Sequence, residues 1–151
     1  MKRLFLAMAA VASLGTALPA AAQFAKPEDA VKYRKAAFTV MATHFGRIGA
    51  MVSGKAPFDA AAAAANADTV ATMSKLPYAG FVEGTGGTEK GSPKANVWTE
   101  RDKFNAAATK MQDEMVKLNA AAKTGDVATI KAAAGGVGQA CKGCHDNYRK
   151  E

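Results

Sequence analysis

The sequence predicts an all-α protein, an antiparallel up-down-up-down four-helix bundle, on three observations. Beyond the first 22 residues, no Val/Ile/Thr-rich run alternates in the manner of a strand. Alanine, the strongest helix former, is abundant throughout. Apolar residues recur at helical spacing in four segments separated by breaks that contain Gly or Pro.

The chain opens with a leader. Met1-Lys2-Arg3 is a short basic start, Leu4 to Leu18 is an apolar run, and Pro19-Ala20-Ala21-Ala22 ends it with small residues. This is the order of a secretory signal peptide, with cleavage expected between Ala22 and Gln23. The apolar run is shorter than the roughly 20 residues of a membrane span. Residues 1–22 are therefore expected to be removed, leaving 23–151 as one domain, exported to the periplasm and free of the membrane.

The first helix is expected from Pro27 to about Ser53. Pro27 suits the first turn, Glu28 and Asp29 complement its dipole, and Gly54 stops it. Val31, Phe38, Met41, Phe45, Ile48 and Val52 form its apolar stripe, and Gly46, Gly49 and Ala50 make a small-residue patch suited to a close crossing, within the bundle or across a dimer. A second helix is expected from about Pro57 to Lys75, with Phe58, Ala61, Ala65, Val70 and Met73 inward and Pro77 as terminator. Residues 77–96 are too rich in Gly to be helical, and a connection this long is usually functional or disordered. Asn96 is expected to cap a third helix bearing Val97, Trp98, Phe104, Met111, Met115 and Leu118 that ends near Gly125. Asp126 caps a fourth that runs to the C-terminus. Trp98, Phe58, Phe81 and Phe104 are expected as core or site-wall aromatics.

Charge narrows the partners. The formal net charge is +7, and it falls by two, to +5, without Lys2 and Arg3. Lys and Arg are interleaved with Asp and Glu along the chain, the pattern of solvated helix faces rather than of a phosphate-tracking stripe, so nucleic acid is not an expected partner. The basic excess suits an acidic redox partner.

Cys141-Lys142-Gly143-Cys144-His145 carries the chemistry. In an exported chain two cysteines would ordinarily suggest a disulfide, but a bridge between residues three apart on a helix would be strained and would close too small a loop to stabilise the fold much. A redox dithiol calls for a βα setting that is missing from the pattern, and a closed zinc site calls for four ligands where the chain has two Cys and two His. C-x-x-C-H is the attachment sequence of c-type haem. The two thiols add to the haem vinyl groups, and His145 is delivered to the iron as an axial nitrogen ligand. One covalently bound haem c is the expected cofactor. Gly135, Gly136 and Gly138, just before the motif, are costly in a helix and are expected to admit the haem plane or a neighbouring helix at close range.

Cys141-Lys142-Gly143-Cys144-His145-Asp146-Asn147-Tyr148-Arg149-Lys150, together with the opening stretch from Gln23 to Arg34, resembles the cytochromes c′. The likeness continues through Lys55-Ala56-Pro57-Phe58-Asp59, the Gly-rich stretch after Pro77, and Trp98, and so spans the whole of 23–151. Cytochromes c′ are themselves well-known four-helix bundles. The resemblance implies a five-coordinate, high-spin haem that binds nitric oxide and carbon monoxide, with a role in nitric oxide buffering or carriage or in electron transfer, rather than an enzyme. It also implies a homodimer through the first two helices.

By the same resemblance Phe38 occupies the distal position, covering the iron with a ring that cannot ligate it. Arg34 and Lys35 meet the haem edge and its propionates, Arg149 stands beside the axial imidazole on the proximal side, and Ser92 and Lys94 touch the haem edge. Relatives with a low-spin haem place a Met near the distal position, so the alternative is a six-coordinate electron carrier with Met41 as ligand. His44 lies about 120° around the helix from Phe38 and is expected away from the site.

Overall fold

The computed structural model describes residues 23–151, and the expected signal peptide lies outside the described residues. Five helices follow in order: α1 (Pro27–Val52), α2 (Ala60–Met73), α3 (Asn96–Thr99), α4 (Arg101–Ala122) and α5 (Val127–Tyr148), with a 3-10 turn at Pro77–Gly80. The four long helices form the bundle. α1 packs on α2 and α5, and α4 packs on the same two. Among the described residues there is no strand, only an isolated antiparallel bridge between Pro93 and Arg149, and no helix is long and apolar enough to cross a membrane.

The ends of the first and last helices follow local chemistry. Pro27 begins α1 with Glu28 and Asp29 in its first turn, and Gly54, at φ 75°, follows its end. The Asp126 carboxylate accepts the Thr129 N–H at 2.7 Å and caps α5 as expected. α2 begins later than the Pro57 expectation because Asp59 supplies the cap, accepting the Ala62 N–H at 2.9 Å.

That start also sets which face of α2 turns inward. Ala63, Ala67 and Val70 are buried, whereas Ala61, Ala65 and Phe58 are exposed. Phe58, 37% exposed, is thus neither a core nor a site-wall aromatic. The expected third helix is divided: its backbone departs from helix at Glu100 (φ −122°, ψ 45°). Asn96 does not cap it, because its side-chain amide instead donates to the Asn147 carbonyl at 3.1 Å. The break lets Trp98 Nε1 and Arg101 Nη2 reach one acceptor, the Phe81 carbonyl, at 3.2 and 2.8 Å.

The main core joins Ile48 and Val52 of α1, Val70 of α2, Met115 and Leu118 of α4, and Ile130 and Val137 of α5. A smaller aromatic cluster around Val97, Phe104 and Tyr148 fills the end of the bundle under the long loop. α5 runs unbroken through its glycines. None of Gly135, Gly136 and Gly138 borders the site cavity described below. Only Gly136 has a close neighbour, the Glu114 carboxylate of α4, so the room made there serves the neighbouring helix. A β-carbon on Gly46 or Gly49 would meet nothing within 4 Å, so the small-residue patch of α1 is not used inside the chain.

Candidate functional site

Cys141 and Cys144 lie three residues apart on α5, hence on one face of the helix. Both thiols are free and half-buried, and both border one cavity of about 620 Å³ together with His145. That volume falls within the roughly 300–1,000 Å³ of ligand and cofactor pockets. Burial pushes both thiols up from their ordinary value, and the neighbouring Cys141 adds to the effect on Cys144. Burial, reinforced by the positive charge of Arg149, lowers the His145 imidazole. Both effects favour the neutral imidazole, the form that can bind a metal.

The opposite wall is apolar. α1 contributes Phe38, Met41 and Phe45, the long loop contributes Tyr78 and Phe81, and α4 contributes Phe104, Met111 and Met115. The basic side chains Arg34, Lys35, Lys90 and Arg149 also border the cavity. Among the described residues no group of three His, Cys, Asp or Glu side chains is placed to hold a bare metal ion. Two thiols, one imidazole, an apolar slot and a basic border instead fit a flat apolar group with acidic substituents that brings most of its own metal ligands, as haem does.

Most of the residues singled out in the sequence converge here, with some roles changed. Ser92, 6% exposed, borders the cavity and donates through Oγ to Glu89 at 3.0 Å. Lys94 does not border it, and its ammonium donates to the Asp146 carbonyl at 2.8 Å, capping the end of α5. Arg149 reaches the cavity from beyond the end of the helix. α5 ends at Tyr148, and Arg149 is extended (φ −115°, ψ 136°). It is held in a strap by backbone bonds of 2.8 Å each from Gly91 N to Lys150 O, from Lys150 N to Ser92 O and from Lys94 N to Tyr148 O.

Arg34 borders the cavity but is 4% exposed, and it spends three of its five N–H groups on the long loop. Met41, 5% exposed, belongs to both the core and the cavity wall. His44 lies outside the cavity, its Nδ1 2.8 Å from Asn66 Oδ1 on α2.

Tyr78 has no role assigned from the sequence, yet it borders the cavity, as Tyr148 does, and burial pushes the Tyr78 phenol up. Its signal was the Tyr78/Phe81 spacing of one turn directly after Pro77. Met111 and Met115 read as plain core because a cavity wall and a core stripe share the same helical period.

Comparison with known proteins agrees with this geometry. The family described as Cytochrome C' matches residues 29–149. Cytochrome c' of Rubrivivax gelatinosus is 52% identical over 129 residues, covering 85% of this chain and 100% of the relative. That of Alcaligenes xylosoxydans xylosoxydans is 50% identical over 129 residues, covering 85% and 99%. The Rubrivivax gelatinosus crystal structure superposes with a TM-score of 0.79 at 52% identity, over 85% of this chain and 100% of that one. A nitric oxide complex of a variant of cytochrome c prime from Alcaligenes xylosoxidans does so with a TM-score of 0.79 at 48% identity, over 85% and 99%. A helical bundle whose last helix turns two thiols and an imidazole into one apolar cavity, matched along nearly all of its described length, makes this chain a member of the cytochrome c′ family and a haem c protein.

Proposed function

We propose that Cys141 and Cys144 hold the haem by thioether bonds, that His145 is its axial iron ligand, and that the opposite face stays five-coordinate and high-spin beneath Phe38. When bound, the haem supplies an iron that takes up nitric oxide and carbon monoxide. The observation that carries this reading is the position of Phe38 in the α1 wall of the same cavity that holds His145 in its α5 wall. A phenyl ring limits entry by size and offers an incoming gas no hydrogen bond. The nitric oxide complex of a 48% identical relative supports nitric oxide as a ligand.

Lys35 and the two remaining N–H groups of Arg34 receive the cofactor carboxylates, with Ser92 at the same border and Arg149 on the proximal side. Binding rather than turnover is the function, in nitric oxide buffering or carriage with electron-transfer capacity. Phe38 takes the place of the polar group that acid–base chemistry at the iron would use. The signal-peptide pattern of residues 1–22 supports a periplasmic location, where the basic excess of the chain would suit an acidic redox partner. The unused Gly46 and Gly49 patch supports a homodimer through α1 and α2, to be tested by sedimentation equilibrium.

Met41 supports the second reading, a six-coordinate electron carrier, because it borders the cavity three residues beyond Phe38. His145→Ala tests the axial assignment. That variant should keep the thioethers and lose the native spectrum, and an unchanged spectrum would refute the ligand.

A further inference from the structure

Phe81 is fixed from three sides. Its carbonyl accepts from Trp98 Nε1 at 3.2 Å and from Arg101 Nη2 at 2.8 Å. Its ring lies 4.9 Å from the guanidinium carbon of Arg34. That guanidinium, buried to 4% exposure, donates to the Gly80 carbonyl at 2.8 Å and to Oγ1 and O of Thr85 at 2.6 and 2.5 Å. Thr85, 1% exposed, donates its own hydroxyl to the Val82 carbonyl at 2.6 Å. A β-carbon on Gly80 would stand 2.5 Å from the Ala30 carbonyl, so the loop sits directly on α1.

The phenyl ring held in this way packs edge-on against Phe38, with centroids 6.2 Å apart and planes at 76°. A buried guanidinium is a costly anchor, because displacing the loop would strip three of its N–H groups of their acceptors. Phe81 therefore gives Phe38 a stiff stop on one side, although the loop that carries it has little regular structure of its own.

We propose that Arg34 and Thr85 are positioning residues for gas entry: by fixing Phe81 they set how far the Phe38 ring swings away from the cavity. The proposal rests on the reading of Phe38 as the distal cover. Thr85 is the cleaner probe because it does not border the cavity.

In the holoprotein, Thr85→Val keeps the shape and removes the hydroxyl. It should raise the carbon monoxide association rate on the order of tenfold, equivalent to about 1.4 kcal/mol of barrier. It should also speed amide hydrogen exchange in residues 77–93. Thr85→Ser should restore both, and the acceleration should vanish in a Phe38→Ala background. Phe81→Leu, which leaves the backbone ties in place, should also speed entry. An unchanged rate in Thr85→Val or in Phe81→Leu, or an acceleration that persists without the Phe38 ring, overturns the proposal. Phe38→Ala alone separates the two ideas. If it speeds entry while Thr85→Val does not, only the positioning role fails, and if it leaves entry unchanged the distal reading falls as well.

Discussion

Arg149 rests on Gly91: a β-carbon built on Gly91 would stand 3.2 Å from Arg149 Nη2, and Gly91 itself holds φ at 85°. Only glycine takes that conformation without steric cost. The strap that carries Arg149 to the cavity thus depends on this position twice, for its turn and for the space above it. Gly91→Ala should lower stability by about 1–2 kcal/mol from the backbone alone and should displace the guanidinium. Thermal denaturation of Gly91→Ala with and without Arg149→Ala separates the two costs. An unchanged Tm in the single variant would contradict this picture.

The Tyr78 phenol is pushed up from 10.0 by burial first, with the free thiols of Cys144 and Cys141 adding in the haem-free chain. Its neutral form is favoured in the folded chain, so its contribution to stability is fully present below about pH 10 and is lost as pH rises toward the folded value. Above pH 10 the wild type should lose up to about 1.4 kcal/mol per pH unit more than Tyr78→Phe. Urea denaturation of both proteins at pH 9 and pH 11 measures this difference. Equal losses would show that Tyr78 is not held neutral.

Leu118 is 0% exposed and lies outside the cavity wall, whereas Phe58 is 37% exposed. Leu118→Ala should cost about 2–5 kcal/mol and leave the absorption spectrum unaltered. Phe58→Ala should stay within about 0.5 kcal/mol of the wild type. Denaturant melts of the two variants check the packing assigned to α2 and α4, and a large loss from Phe58→Ala would restore that residue to the core.

Met41 tests the coordination number from the protein side. Met41→Leu conserves volume and should cost less than about 1.5 kcal/mol, with no change of spin state. A low-spin spectrum in the wild type that turns high-spin in this variant would make Met41 the sixth ligand.

Much of this architecture is legible in the sequence because it is local. Pro27, Asp126 and the stripe from Phe104 to Leu118 act through near neighbours, and Cys141-x-x-Cys144-His145 places three reactive side chains within five residues. Readings that needed distant partners fared less well. Asn96 has the side chain of a cap, but Asn147 takes its amide. Lys94 leaves the cavity for the Asp146 carbonyl, and Arg149 leaves the helix for Pro93. Arg34 does border the cavity, and what the sequence could not show is its commitment to Gly80 and Thr85, 46 and 51 residues away. Phe58 carries the composition of a core residue, yet the Asp59 cap fixes a helix start that faces Ala63 and Ala67 inward instead.

The most direct test of the central claim is the absorption spectrum of the dithionite-reduced holoprotein before and after carbon monoxide and nitric oxide. A high-spin spectrum that shifts with both gases, weakly for carbon monoxide because of Phe38, is the predicted result. A sharp low-spin α-band indifferent to both gases would contradict it and would make the protein an electron carrier with a side chain on the iron.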